Sequence, residues 1–343
     1  MLTQLIDGLL ELSIVGSFSR VGSSIRRRLF GWSEPPPGVL LGRTVLVTGP
    51  TSGLGRAMAG RLAGLGARLV LVGRDPVRLE AVRDELAAAY GADCATAVVA
   101  DMASISSGND AVDRIATQEP RLDVVIDNAG ALFSERTIGP DGIEATLATM
   151  VVGPFVLMAG LLPLLRRTGH ARVVAVTSGG MYAQPLDLDD LAWARRPWNG
   201  TRAYAQAKRA QVALIREWAR RVPPEDVAFS AMHPGWAATP GLAASLPGFS
   251  RVMGPLLRTA GDGADTAIWL AADPAASRET GRLFLDRRAR PFDRVPHTRL
   301  SGADRRRLWD LVVRLADVAD PAPDQGPRGP RNHTTTTTDG ATR

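Results

Sequence analysis

Over the first 33 residues apolar side chains recur every three or four positions, at Leu2, Leu5, Ile6, Leu9, Leu10, Ile14, Val15, Phe18, Val21, Ile25, Leu29 and Phe30, with polar residues between them. This is the period of an amphipathic helix. Asp7 and Glu11 interrupt the apolar stretch, no basic segment precedes it, and it has no uninterrupted apolar run of about 18 to 20 residues, so neither a secretory signal nor a membrane span is expected here. Two readings of the leader stay open. It can dock on its own domain or a neighbouring subunit, or it can lie in a membrane interface with Arg26, Arg27 and Arg28 near anionic head groups. Ser33-Glu34-Pro35-Pro36-Pro37-Gly38 then stops any helix, because successive prolines donate no backbone hydrogen bonds, and it predicts a separable leader.

From Thr44 the pattern changes to short β-branched runs alternating with helical stretches. Thr44 to Val47, Arg68 to Val72, Thr96 to Ala100, Val124 to Ile126, Val173 to Val176 and Val227 to Met232 read as strands, with Phe284-Leu285 as a further short one. Buried strands separated by helices predict an α/β fold with a doubly wound parallel sheet in a single main domain. After Ala322, proline, glycine, charge and the Thr334 to Thr338 run leave nothing apolar to bury, and disorder is expected. The expected organisation is a helical leader over 1–33, a proline-rich linker over 34–41, the main domain over 42–320 and a disordered tail over 321–343.

With 343 residues, 45% of them hydrophobic, the chain can fill such a core. The single cysteine, Cys94, excludes an intramolecular disulfide, fits a reducing compartment and reads as core. A net charge of +6 raises the question of nucleic acid, but most arginines are scattered among acids and no nucleic-acid-binding motif is present. No nucleic-acid partner is expected, and the denser runs Arg26 to Arg28, Arg287 to Arg290 and Arg305 to Arg307 read as solvated faces. A cytoplasmic location follows, with the inner face of a membrane as the alternative if the leader binds lipid. A homo-oligomer is possible.

Directly after the first strand comes Thr48-Gly49-Pro50-Thr51-Ser52-Gly53-Leu54-Gly55-Arg56, leading into a helix. Glycines permit a tight turn and let backbone amides approach a pyrophosphate, and the helix N-terminus adds positive potential. A dinucleotide is implied. The second strand ends Val72-Gly73-Arg74, where a ribose-binding carboxylate would otherwise stand. Arg74 can grip a 2′-phosphate, with Arg56 as a second cation, so NADP(H) is favoured and NAD(H) remains possible. Asp101 follows the third strand and Asn128-Ala129-Gly130 the fourth, at the strand ends where open α/β sheets bind ligands.

Tyr204 and Lys208 stand four apart on a predicted helix, hence on one face. A neighbouring ammonium favours the phenolate and so suits a tyrosine to proton exchange. Lys208 is the only lysine among 41 basic residues; with three tyrosines in the chain, a randomly placed lysine would land four after one of them roughly 1% of the time. A compact ammonium is needed there, where a planar guanidinium would not serve. Ser178, after the fifth strand, can hydrogen-bond a carbonyl oxygen while the tyrosine protonates it.

The segments TGPTSGLG, DNAG, the serine after the fifth strand, YAQAK and HPGWAATPG occur in the order seen in short-chain dehydrogenases/reductases, which the chain resembles over about residues 42 to 290. More narrowly, TSGGMYAQPLDLDDL, YAQAKRAQVALIREWA, MHPGWAATPGL and GADTAIWLA are similar to the member 12 branch of that family and its bacterial relatives. The resemblance implies a Rossmann-type oxidoreductase using NAD(P)(H), with Ser178, Tyr204 and Lys208 catalytic and Pro234, Gly235 and Thr239 flanking the nicotinamide and pyrophosphate. An alcohol or carbonyl compound is the implied substrate. The family usually carries an asparagine in a stretch N-x-x-G, holding a water of the proton relay. Here that stretch is Met150-Val151-Val152-Gly153, and methionine donates no hydrogen bond.

Leu242, Leu246, Phe249, Val252, Met253, Leu256 and Leu257, within Thr239 to Gly261, can form a lid over a lipophilic compound or pack ordinarily. His170, His233, His297 and His333 lack metal-ligand spacing, and Asp187, Asp189 and Asp190 lack the rest of a calcium loop, so no metal is expected. His233 can instead line the cleft, since it begins HPGW. The rival to an enzyme is an NADP-binding regulatory or scaffold protein with little turnover, for which Met150 is the best argument.

Overall fold

A computed structural model describes residues 2–245 and 247–323. Eight strands form one sheet: β1 (Thr44–Thr48), β2 (Arg68–Gly73), β3 (Ala95–Val99), β4 (Val124–Asp127), β5 (Ala171–Val176), β6 (Val227–Met232), β7 (Arg282–Leu285) and β8 (Arg288–Arg290). Their order is β3-β2-β1-β4-β5-β6-β7-β8, all parallel except the last pair. The order reverses between β1 and β4, which places a ligand crevice at their carboxyl ends.

The leader forms three helices, α1 (Leu2–Leu12), α2 (Ile14–Phe18) and α3 (Arg20–Leu29). Between the strands lie α4 (Gly53–Gly64), α5 (Pro76–Tyr90), α6 (Ile105–Gln118), α7 (Ala145–Leu147), α8 (Gly153–Thr168) and α9 (Gly200–Arg221). α10 (Pro240–Ser245), α11 (Pro247–Met253) and α12 (Ala260–Ala272) precede β7, and α13 (Gly302–Ala316) follows β8. Alternation along β1 explains the two layers. Val45 and Val47 face a core with α4, α5 and α12, whereas Leu46 faces one with α6, α8, α9 and α13. This is the expected doubly wound sheet of Rossmann type. The helical stretch Ala145–Thr168 is long and apolar enough to cross a bilayer, but most of it is buried within the second of these cores.

Three expectations are corrected. The leader is three short helices and not one, because Ser13 caps α2 by accepting from the Gly16 amide at 2.9 Å and Ser19 breaks the chain again before α3. Its docking is inside out. Arg26 is fully buried and pairs with Asp7 at 2.7 Å, Glu11 at 2.6 Å and Asp286 at 2.7 Å, while Leu2, Leu5, Leu9 and Leu12 face solvent. The arginine runs at 26–28 and 287–290 are therefore not solvated faces as wholes. Arg290 pairs with Asp7 at 2.9 Å, Arg287 with Asp265 at 2.7 Å, and 288–290 form the antiparallel edge strand β8. Arg305 pairs with Glu217, and Arg307 with Asp189. Cys94 is half-buried and its thiol is a free one. The tail from 324 onward lies outside the described residues.

Candidate active site

The glycine turn bends where only glycine is comfortable, with Gly49 at φ 66° and Gly53 at φ 53°. A Cβ on Gly55 would come within 2.0 Å of the Gly49 carbonyl oxygen, so this glycine permits α4 to approach the turn. Ser52, at the N-cap of α4, makes no capping hydrogen bond, so the first amides of that helix lack a side-chain acceptor of their own. Ser52, Gly53, Leu54 and Gly55 line a cleft of about 770 Å³. Turn and uncapped helix end together fit the pyrophosphate of a dinucleotide.

Thr48 lies beneath the cleft, outside its lining. Its Oγ1 accepts from the Asn128 amide at 2.9 Å and the Ala129 amide at 2.8 Å. Asn128 Nδ2 donates in return to the carbonyls of Thr48, at 2.9 Å, and Gly49, at 3.2 Å. The two residues clasp the ends of β1 and β4 together. Thr239 sits against the turn from the other side, its Cβ 3.2 Å from where a Gly53 Cβ would stand.

Arg74 lines the cleft beside Gly73, Asp75 and Arg78. Among the described residues no carboxylate pairs with Arg74, whereas Arg78 meets Asp75 at 3.3 Å. Arg56, expected as the second cation, instead pairs with Glu85 on α5 and does not line the cleft. Arg78, in the first turn of α5, takes its place there. Asp101 lines the cleft while its Oδ1 caps the following turn by accepting from the Ala103 amide at 2.9 Å.

Ser178, Tyr204 and Lys208 converge on the opposite wall. Ser178 begins a short turn after β5, and Tyr204 and Lys208 project from successive turns of α9. Burial pushes the Tyr204 phenol up to about 12, opposed by its hydrogen bond with Ser178. The Lys208 ammonium donates to the Val176 carbonyl at 2.9 Å and lies 5.7 Å from the centroid of the Tyr204 ring. Ser178, rather than the expected ammonium, is thus what opposes the effect of burial on the phenol here. Burial lowers Lys208 to about 8, and the carboxylate of Asp127 works against that fall.

Asp127 was not legible as a site residue, although it directly precedes Asn128. It is buried at the end of β4, with Gln211 Nε2 donating to Oδ2 at 3.0 Å and Thr48 Oγ1 at 3.5 Å from Oδ1. Desolvation raises it to about 6 against the pull of Lys208. Gln211 lies three residues beyond Lys208 on α9, so one helix face carries both groups to the same carboxylate.

Met150 is fully buried, with its sulfur 3.2 Å from where a Cβ on Gly130 would stand. It sits in a π-helical turn, Ala148–Val152, in which the Gly153 amide reaches back to the Ala148 carbonyl. The neighbouring Thr149 lines the cleft and offers the hydroxyl that Met150 lacks.

Pro234 and Gly235 follow β6 at the cleft wall. Gly235, at φ 69°, has no room for a side chain: a Cβ would lie 2.4 Å from Arg258 Nε and 2.6 Å from the Phe18 carbonyl oxygen. His233 does not line the cleft. It is fully buried, edge-on to Phe18 with ring centroids 4.8 Å apart, and burial together with Arg258, Arg294, Arg290 and Arg26 holds its pKa well below the usual value. It is neutral at neutral pH.

Leu132, Trp236, Leu242 and Phe249 supply an apolar wall. Trp236 and Phe249 meet edge-on at 5.3 Å. Of the candidate lid residues, Leu257 is buried, Val252 is exposed and Leu246 lies outside the described residues. No group of three or more metal-ligating side chains occurs among the described residues.

The family model for short chain dehydrogenases matches residues 43–247. The chain is 39% identical over 277 residues to dehydrogenase/reductase SDR family member 12 of Bos taurus, covering 80% of this chain and 86% of that protein. It is 34% identical over 293 residues to retinol dehydrogenase 14 of Mus musculus, again covering 80% and 86%. Among solved structures, 3-ketoacyl-(acyl-carrier-protein) reductase from Brucella melitensis, complexed with NADH, matches with a TM-score of 0.57 at 25% identity, over 71% of this chain and 96% of that one.

Proposed function

The chain belongs to the short-chain dehydrogenase/reductase family of NAD(P)-dependent oxidoreductases, and from that premise we propose that it interconverts a lipophilic alcohol and its carbonyl compound with NADP(H) as the preferred cofactor. The observation that carries the reading is the convergence of Ser178, Tyr204 and Lys208 across one cleft from the glycine turn. A nicotinamide dinucleotide bound there supplies the hydride in reduction and takes it up in oxidation.

The amides of Gly53, Leu54 and Gly55 would hold its pyrophosphate, and Arg74, without a carboxylate partner among the described residues, would meet a 2′-phosphate. In the reduction direction Ser178 Oγ hydrogen-bonds the substrate oxygen and fixes it beside the Tyr204 hydroxyl. Tyr204 then donates its proton to that oxygen as negative charge develops there. The resulting phenolate faces the Lys208 ammonium, whose charge Asp127 sustains in a buried setting. Trp236, Leu242 and Phe249 favour an apolar substrate body.

The test is carbonyl-dependent oxidation of NADPH and of NADH over a panel from short polar to long aliphatic and polyene carbonyls. Tyr204→Phe keeps the ring and removes the proton, so turnover should fall by about a hundredfold or more while NADPH still binds. Tight NADPH binding with no turnover on any substrate, and no effect of Tyr204→Phe, would favour the regulatory or scaffold reading.

A further inference from the structure

More than half of the large apolar side chains exposed among the described residues belong to the leader. On α1, Leu2, Leu5, Leu9 and Leu12 are 59% to 85% exposed and fall on one face at helical spacing, while Asp7 and Glu11 fall on the other. On α3, Val21 and Ile25 are exposed while Arg26 is buried. A helix on a water-facing surface ordinarily turns its apolar stripe inward. Here the buried ion pairs of Asp7 and Glu11 with Arg26, Arg290 and Arg294 hold it reversed.

The unpaired charges on the outward faces of α1 and α3 are cationic. Both acids of the first 30 residues are turned into the protein, and Arg27 is engaged by Glu34 and Asp262. Arg20 and Arg28 remain exposed, with Arg28 three residues after Ile25 on the same face of α3. The outward faces of α1 and α3 are thus aliphatic and cationic, with the neighbouring carboxylates of Glu34 and Asp262 taken up by Arg27. We propose that α1 and α3 dock this chain on an anionic lipid bilayer, aliphatic side chains in the acyl boundary and the two arginines among phosphate head groups.

A second copy of the chain fits less well, because an isologous pairing through this patch would bring a cationic surface against itself. Among the described residues of α1 and α3, no exposed aromatic anchor of the kind that dominates protein interfaces occurs. The Phe18 carbonyl, at the end of α2, accepts from the Trp236 amide at 2.8 Å, and Trp236 is part of the apolar cleft wall. The leader therefore adjoins the cleft wall through α2, on the side away from its exposed leucines.

The experiment is flotation of the full chain with vesicles of phosphatidylcholine alone and of phosphatidylcholine with phosphatidylserine, alongside light scattering for oligomeric state. The protein should float with the anionic vesicles and lose most of that binding in high salt. Leu5→Glu with Leu9→Glu, both at solvent-exposed positions, should abolish flotation with unchanged circular dichroism. Arg20→Gln with Arg28→Gln should weaken it about thirtyfold. Binding is read without turnover, so its failure leaves the catalytic reading standing. Absence of flotation with anionic vesicles at low salt would overturn the proposal. So would equal flotation of the Leu5→Glu/Leu9→Glu variant, or a dimer that this variant converts to monomer.

Discussion

Replacing Arg26 by methionine keeps the length and much of the volume of the side chain and removes its charge. The arginine donates to Asp7, Glu11, Asp286 and the Ser17 carbonyl, all within 3.1 Å, from a fully buried position. Removing one member of a buried ion cluster costs about 3 to 5 kcal/mol, because the carboxylates left behind have lost water without keeping a partner. Here each keeps at least one. Asp286 retains Arg258 at 2.6 Å, Asp7 retains Arg290 at 2.9 Å, and Glu11 retains Arg294. The cost therefore falls at the lower end, about 3 kcal/mol, and it falls on the docking of the leader. With a urea dependence of about 3 kcal/mol per molar for a chain of this size, the unfolding midpoint should drop by about 1 M. Equilibrium unfolding followed by tryptophan fluorescence measures the shift, and limited proteolysis should show the leader cut first. A midpoint within about 0.3 M of the parent would refute the view that these pairs fasten the leader, and the separability suggested by the proline break would regain its force.

Arg74→Ala should remove most of a preference for NADPH over NADH of about tenfold or more, or about 1.4 kcal/mol, read by titration with each cofactor. Equal affinities of the parent for both would dispose of the role given to Arg74. Because Lys208 is lowered to about 8, its cation is present below that pH and lost as pH rises through it, so kcat/KM should fall along an alkaline limb near pH 8. Asp127→Asn removes the charge that sustains the ammonium and should move that limb to lower pH; a limb that stays in place would show that the carboxylate does not act on Lys208. Met150→Asn puts an amide beside Gly130 and should leave single-turnover hydride transfer equal or faster, whereas a marked loss would mean that the buried thioether serves packing alone.

The strands were legible because each is a short apolar run between turn residues, and the catalytic wall because Tyr204 and Lys208 are tied by one helical turn. Their meeting with Ser178 follows from the placement of all three at carboxyl ends of the sheet or beside them. What stayed hidden depends on distant partners. Arg26 and Asp286 are 260 positions apart, and Arg290 and Asp7 are 283 apart, so no local pattern shows that these charges are buried. β8 escaped notice for the same reason, since its arginines look solvated until Asp7 is laid against them. Arg56 and Arg78 exchanged places because Glu85, which captures Arg56, reaches it only when α5 folds back beside α4. Asp127 had no reading beyond its place in the DNAG segment, and only the tertiary structure brings Gln211 and Lys208 to it.

The leader is synthesised before the domain it docks on, yet the groups that neutralise its inward face, Arg258, Asp286, Arg290 and Arg294, lie more than 220 residues later in the chain. At about 5 to 20 residues per second, the separation of 260 residues between Arg26 and Asp286 amounts to a wait of roughly 13 to 50 s on the ribosome. Throughout that interval α1 and α3 have no surface to dock on, and Arg26 can pair only with Asp7 and Glu11 of the leader itself. The charged inward face of the leader is therefore completed only when the edge strand emerges and brings Arg290 to Asp7.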